Sequence, residues 1–478
     1  MTKPAIIPTD KDRAGLIEVD EQLVDDISAL LDTRQRGMVL NLVADLHPAD
    51  LARLISHLPR DEAEQLFNWL PADLGGDVLA DLDDTFRADL LEEAEPERLT
   101  ELIDELDTDD AADVLADLGD EVASQVLPEL EDAEDIRELL AYDEETAGGI
   151  MATELVAVPP SWTVAEATEE VRRNAETVEE IFVIFVVDEA ERLRGFVSLK
   201  RLLLSPSDAL IGDVMKRDVL SVTTEIDQEE VVRIMERYDL VSLAVVDADD
   251  CLVGRITIDD AMDVIREEAE EDIQRMSGIT GDEEPTDSVL RITRGRLPWL
   301  LLGMIGAGFA GSVIGAFEET INKVSILAAF IPVVMAMAGN AGIQSSAIIV
   351  QGLASGDVWS SDMMRRLGKE VVVGVVNGVA LALAIAVFVF VVFVGLAEVF
   401  PTVVRPAAEP VRLALTAGLS LFAVILLAAT IGTTIPLFLD RFGIDPALAT
   451  GPFITTSNDI IGLIVFFVLA TLLYLPYV

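Results

Sequence analysis

The chain has 478 residues, with 33 Lys and Arg against 86 Asp and Glu, one Cys and two His, and a formal net charge of −53. That length implies several domains; the single Cys251 excludes a disulfide scaffold, and two His with one thiol exclude the usual zinc and iron–sulfur ligand sets. Phosphate backbones require a basic face, so nucleic acid is excluded as a partner, and any bound metal is expected to be a hard cation held by oxygen.

The charge is unevenly spread. Residues 297–478 hold 10 acidic and 7 basic residues, which leaves 76 acidic and 26 basic residues for positions 1–296. Lysine is scarce throughout, so adaptation to a salty cytoplasm accounts for the bulk of the carboxylates without any ligand, while a subset remains available for cations. The opening MTKPAIIPTDKDRAG lacks the apolar core of a signal peptide, so the N-terminus is expected in the cytoplasm, with residues 1–22 disordered.

Residues 23–140 read as an all-α helical-repeat domain. Leu46, Leu58, Leu70, Leu82, Leu106, Leu118 and Leu130 fall on a twelve-residue register, with Ala94 in the remaining place. Each unit opens with a turn-prone Pro or Asp and continues as about two helical turns, too short to bury an apolar face alone, so successive units are expected to stack into a superhelix.

Residues 141–265 contain a duplicated α/β pattern. TVAEATEEVRRN with FVIFVVDEAERLRGFVSLKRLL, and DQEEVVRIMERYDLVSLAVVDADDCLVGRITIDDAMDVI, each read helix, strand, turn, strand, helix. This tandem resembles a pair of cystathionine-β-synthase-type (CBS) domains, a resemblance that implies a regulatory module able to bind adenine nucleotides such as ATP. The family's nucleotide pattern is matched in the second copy by Gly254, Thr257 and Asp260; in the first, Gly195 and Ser198 match but Arg201 replaces the ribose-binding acid. Residues 266–296 follow as an acidic connecting helix, a linker interrupted by Gly and Pro, and a basic segment.

Five apolar stretches, near Leu297–Phe317, Val324–Leu353, Val371–Leu396, Leu413–Leu439 and Pro446–Leu475, are each long enough to cross a bilayer and make residues 297–478 a five-helix membrane domain. Arg291, Arg294 and Arg296 precede the first, and Arg365, Arg366 and Lys369 lie between the second and third. The positive-inside rule then places the N-terminus in the cytoplasm and the C-terminus outside.

Polar residues at membrane depth are costly and mark function. Asn340 and Gln344 share a face of the second span beside Gly339 and Gly342; Thr455, Thr456 and Gly462 share a stripe of the fifth with Asp459. Asp459 is the acid well inside a span. No intramembrane Lys, Arg or His is available to pair with it, so it calls for a cation, a wet cavity or a hydrogen-bonded partner.

The acidic helical repeats, ETAGGIM at the junction, the CBS tandem, and spans bearing GNAGIQ and DPALATGPFITTSNDIIG together resemble the MgtE-type magnesium channels and transporters from about Leu23 onward. The resemblance implies no enzyme activity. It implies a homodimer in the inner or plasma membrane, with Mg2+ as both substrate and regulatory ligand. Passive influx would run between the second and fifth spans. Asp459 then matches the acid that holds a largely hydrated Mg2+, with Gly339, Asn340, Gln344, Thr455, Thr456 and Asn458 along the pore. The acids matching the cytosolic sensor are Asp260, Asp263, Glu268, Glu271 and Asp272, Glu229 and Asp239, and Asp109 and Asp113 in a helical repeat. Asn458, Ala336 and Ile343 depart from the pattern and leave fine selectivity open. The rival readings are the same architecture carrying Co2+ or Mn2+, and a nucleotide-sensing CBS scaffold in the membrane that transports nothing.

Overall fold

A computed structural model describes residues 19–91, 94–175, 177–178, 181–279, 283, 289–355, 358, 363–396, 409–449 and 451–477. The expected disordered segment lies outside these residues except for its last positions. The chain divides into two compact units, Met1–Ile265 and Arg266–Val478.

The first unit opens with helices α1 (Glu21–Asp32) and α2 (Arg36–Val43). Asp20 caps α1, its carboxylate accepting the Leu23 backbone N–H at 2.8 Å. Next come α3 (Pro48–Ser56), α4 (Arg60–Phe67), α5 (Ala72–Ala80), α6 (Asp84–Leu91), α7 (Pro96–Ile103), α8 (Thr108–Asp117) and α9 (Asp120–Val126), whose first residues are twelve apart, and then α10 (Ala133–Leu139). The register residue lies two positions before each of the helices α3 to α9, and Leu130 lies three before α10. Leu46, Leu58, Leu70, Leu82, Leu118 and Leu130 are buried, while Ala94 and Leu106 are half-buried. The repeat is therefore a packing repeat: each Leu plugs the seam that a two-turn helix leaves open.

Each CBS copy is a three-stranded sheet. In the first, β1 (Ala157–Val158) pairs in parallel with β2 (Val183–Val187), which pairs antiparallel with β3 (Leu193–Ser198); α11 (Val164–Arg173) makes the crossover and α12 (Leu199–Leu204) follows. The second repeats this with β4 (Ser221–Thr223), β5 (Ser242–Val246) and β6 (Leu252–Thr257) around α14 (Gln228–Tyr238), after the short α13 (Ile211–Val214). The copies are laced together, because Ala152, ahead of the first, bridges Arg255 of β6, and Lys216, ahead of the second, bridges Phe196 of β3. The parallel edge strands β1 and β4 were not foreseen from the sequence; two or three residues are too few to show an alternation. One apolar core runs from the helical repeats into the second copy, through Met151, Val231, Met235, Ile256 and Val264. The first copy has its own core around Ile184, Val186, Val197 and Ile211.

Helix α15 (Ile258–Ser277) is both the last helix of the second copy and the acidic connecting helix. It contains no breaker before Gly278, which adopts φ +78° and ends it. The Gly278 N–H donates to the Arg275 carbonyl and the Ile279 N–H to the Gln274 carbonyl, both at 3.0 Å, closing the helix as a Schellman motif.

The second unit contains the five spans: Val289–Ala316, Ser325–Ala354, Met363–Gly395, Pro410–Arg441 and Pro452–Tyr477. The first begins eight residues earlier than expected, because the basic turn carrying Arg291, Arg294 and Arg296 is itself helical. The core between spans is aromatic at one end, with Phe317 stacked on Phe467 at 5.0 Å between ring centroids and Phe330 near Phe466.

Leu58→Ala and Leu70→Ala are each expected to destabilise the first unit by about 2–5 kcal/mol, as for other buried leucines. Met38→Ala, at an exposed position of α2, is expected to stay within about 0.5 kcal/mol of the parent. Thermal unfolding of the three variants checks the register.

Candidate functional site

The fifth span starts immediately after Gly451. The Thr455 hydroxyl donates to the Gly451 carbonyl at 3.1 Å, which ties the first turn together and directs the Thr455–Thr456–Asp459 stripe to one side. That stripe lines a cavity of about 430 Å³ whose other walls include Gly306 and Ala307 of the first span and Ile343 of the second. The Asp459 Oδ1 is buried and has no hydrogen-bond partner among the described residues. No Lys, Arg or His lines the cavity.

The structure brings together some of the expected pore residues and separates others. Gly339 is buried with its Cα hydrogen toward Thr455; a Cβ there would lie 3.5 Å from Thr455 Cγ2. Asn340 and Gln344 are exposed on the outer side of the second span and do not line the cavity. Asn458 is buried against Gly342 and faces away from Asp459. The first span was missed: Gly306 packs so closely on Thr456 that a Cβ would fall 2.0 Å from Thr456 Cγ2. Its small residues, GMIGAGFAG, were the available signal.

The end of α15 closes the remaining side of this cavity through Met276 and Ser277. Arg275 holds it there: its guanidinium donates to Asp445 at 2.8 Å, just ahead of the fifth span, and also ion-pairs with Glu271 one turn back. Two carboxylates therefore keep the Arg275 guanidinium more basic than usual, against the effect of burial. Glu271, expected as a magnesium ligand, is thus paired with a cation of the chain itself.

A second acidic site lies within the first unit, where the start of α8 faces the start of α15. Asp109 is buried, and burial followed by the charges of Asp260 and Asp110 pushes its carboxyl well above the ordinary range. Burial and the charges of Asp260, Asp113 and Asp107 raise Asp110 to about 8, with Arg87 opposing. Asp260 is raised chiefly by burial, against hydrogen bonds from Thr257, whose backbone N–H donates at 2.9 Å and whose hydroxyl donates at 2.6 Å. Glu154 pins the same corner, accepting the Thr108 N–H at 3.1 Å and its hydroxyl at 2.9 Å. Gly254 is covered by Met151 and Ala152.

The other expected sensor acids are spread out. Asp263, Glu268 and Asp272 run along α15. Glu229 is ion-paired with Arg233 at 2.7 Å in the first turn of α14, and Asp239 caps the far end in the left-handed conformation, φ 52°. Among the described residues, no group of three or more His, Cys, Asp or Glu is placed to hold a metal ion as a ready-made cage. Oxygen donors opposed across two helices nevertheless suit a cation that keeps most of its waters and takes one or two carboxylates.

The raised carboxyls set a pH dependence. A folded-state pKa above the unfolded value means that the folded unit retains protons the unfolded chain releases, so stability falls as pH rises from about 4 towards 8 and levels off beyond. In chelator, the thermal midpoint of the cytosolic unit is expected to fall between pH 6 and pH 8.5; Asp110→Asn is expected to flatten that slope, and Mg2+ to raise the midpoint more at pH 8.5. Parallel curves for parent and variant would contradict this electrostatic account.

Comparison with known proteins gives a consistent picture. The profile of the MgtE family, described as divalent cation transporters, matches residues 331–469; the MgtE intracellular N domain matches 46–145, and the CBS domain matches 147–207 and 211–267. The chain is 35% identical over 342 residues to the magnesium transporter MgtE of Enterococcus faecalis, covering 72% of each protein. It is 33% identical over 341 residues to that of Thermus thermophilus, covering 71% of this chain and 72% of the relative. Among solved structures, the cytosolic domain of the Mg2+ channel MgtE in complex with ATP is similar at 34% identity and a TM-score of 0.47, over 50% of this chain and 99% of that one.

Proposed function

Since this chain belongs to the MgtE family of magnesium transporters, we propose that it conducts Mg2+ passively into the cytoplasm past Asp459, as a homodimer, and that cytosolic Mg2+ closes it. The observation that carries this reading is the Asp459 carboxylate, which sits in a cavity without a basic side chain and has a buried oxygen with no partner. A carboxylate withdrawn from water is unfavourable by several kcal/mol unless a cation or water meets it. A magnesium ion with six waters occupies roughly 180 Å³ at about 30 Å³ per water, well within a cavity of about 430 Å³. Hydroxyl and carboxylate oxygens suit a hard cation such as Mg2+ and disfavour a metal that seeks thiolate.

Two further features support the finer parts of the reading. Asn340 and Gln344 expose polar groups on the outer side of an apolar span, which a second copy or an aqueous path must cover. With the arginine-bearing ends of the first and third spans on the cytoplasmic side, an inside-negative potential of about 100 mV adds roughly 4–5 kcal/mol in favour of entry of a doubly charged ion.

Closure follows from like-charge repulsion. Asp109, Asp110 and Asp260 repel when ionised, and Mg2+ between α8 and the start of α15 removes the repulsion and favours the packed state. The Thr257–Asp260 hydrogen bonds favour Asp260 as part of this junction over a ribose contact.

In proteoliposomes under an inside-negative potential, the parent is expected to take up Mg2+ and Asp459→Asn to fall to background while keeping the parent's thermal midpoint. Absence of uptake by folded parent protein at low cytosolic Mg2+ would sink the reading. Arg275→Ala is expected to raise the cytosolic Mg2+ needed for half-inhibition, and the exchange Arg275→Asp with Asp445→Arg to restore it in part. Unchanged inhibition in Arg275→Ala would remove the ion pair from the gate.

A further inference from the structure

The fifth span carries a polar side chain that the path past Asp459 does not use. Asn458 is 1% exposed, and neither its Oδ1 nor its Nδ2 has a hydrogen-bond partner among the described residues. It fills a notch where three spans cross: a Cβ on Gly342 of the second span would fall 1.9 Å from its Nδ2, and one on Gly432 of the fourth would fall 2.3 Å from the Gly342 carbonyl oxygen. The glycines explain how the side chain fits. They do not explain why it is an amide, since an apolar side chain of similar size fills the same notch without leaving two polar atoms dry.

Successive residues of a helix point about 100° apart, so Asn458 faces Gly342 of the second span while its neighbour Asp459 faces the cavity. Movement of the fifth span away from Gly342 is then the change that wets the amide, and it does so one residue from the carboxylate that meets the ion. We propose that Asn458 is a second polar residue of the transport path: in the conducting arrangement its amide hydrogen-bonds the hydration water of the passing cation. The proposal rests on the Mg2+ reading above and adds a residue whose present burial marks a non-conducting arrangement.

The test compares Asn458→Val with Asn458→Thr, two β-branched side chains of the same shape that differ in one hydroxyl. Mg2+ uptake by the full-length protein in proteoliposomes and its thermal midpoint are measured together. Asn458→Val is expected to keep or raise the midpoint yet lower uptake about tenfold, while Asn458→Thr stays within about threefold of the parent, the scale of one hydrogen bond. Equal uptake by the two variants, whether high or low, would overturn the proposal, because the polar group would then be irrelevant or shape alone would matter. If Asn458→Val does not fold, Asn458→Ala takes its place against the same criterion. Failure of the parent itself to take up Mg2+ would strike the underlying transport reading instead, so the two failures are distinguishable.

Discussion

Carboxylates drawn partly or wholly out of water with too little positive charge beside them are the constraint on which the functional parts of this protein depend. In the membrane unit it is Asp459, set in a cavity lined by glycine, alanine and threonine with no base among the lining residues. In the first unit it is the group Asp109, Asp110 and Asp260, whose carboxyls burial and one another drive upward although Arg87 and Arg255 oppose the rise. Neither arrangement lowers the free energy of the chain by itself. Each becomes favourable when a mobile cation supplies the missing charge, and a cation that prefers oxygen and keeps its water fits both.

The helix α15 gives these two sites a common element. It begins at Ile258, directly after Thr257, whose hydrogen bonds engage Asp260, and ends at Ser277, where Met276 and Ser277 line the cavity. Arg275 adds a fixed cation at the far end, ion-paired with both Glu271 and Asp445.

Much of this was legible in the sequence, and the rest has an identifiable physical reason for being hidden. The twelve-residue leucine register located the seven helix starts from Pro48 to Asp120, because a soluble helix must show its buried face as a periodicity. The five spans were legible from length and apolarity. Which span packs on which was not, since lipid-facing and buried residues are equally apolar and the pattern loses its phase. That is why Asn458, grouped with Asp459 along one chain segment, proved to face Gly342 instead, and why Gly306 of the first span was overlooked as a wall of the cavity. The Arg275–Asp445 pair joins residues 170 positions apart and carries no local signature at all.

The central claim is that Mg2+ moves down its own electrochemical gradient past Asp459. The most direct measurement is the reversal potential of the purified parent protein in a planar bilayer bathed by unequal Mg2+ concentrations, with the α15 side kept low in Mg2+. The account predicts a current whose reversal follows the Mg2+ ratio as the Nernst relation requires for a doubly charged ion. A reversal that ignores the Mg2+ ratio, or that follows a monovalent ion, would contradict it.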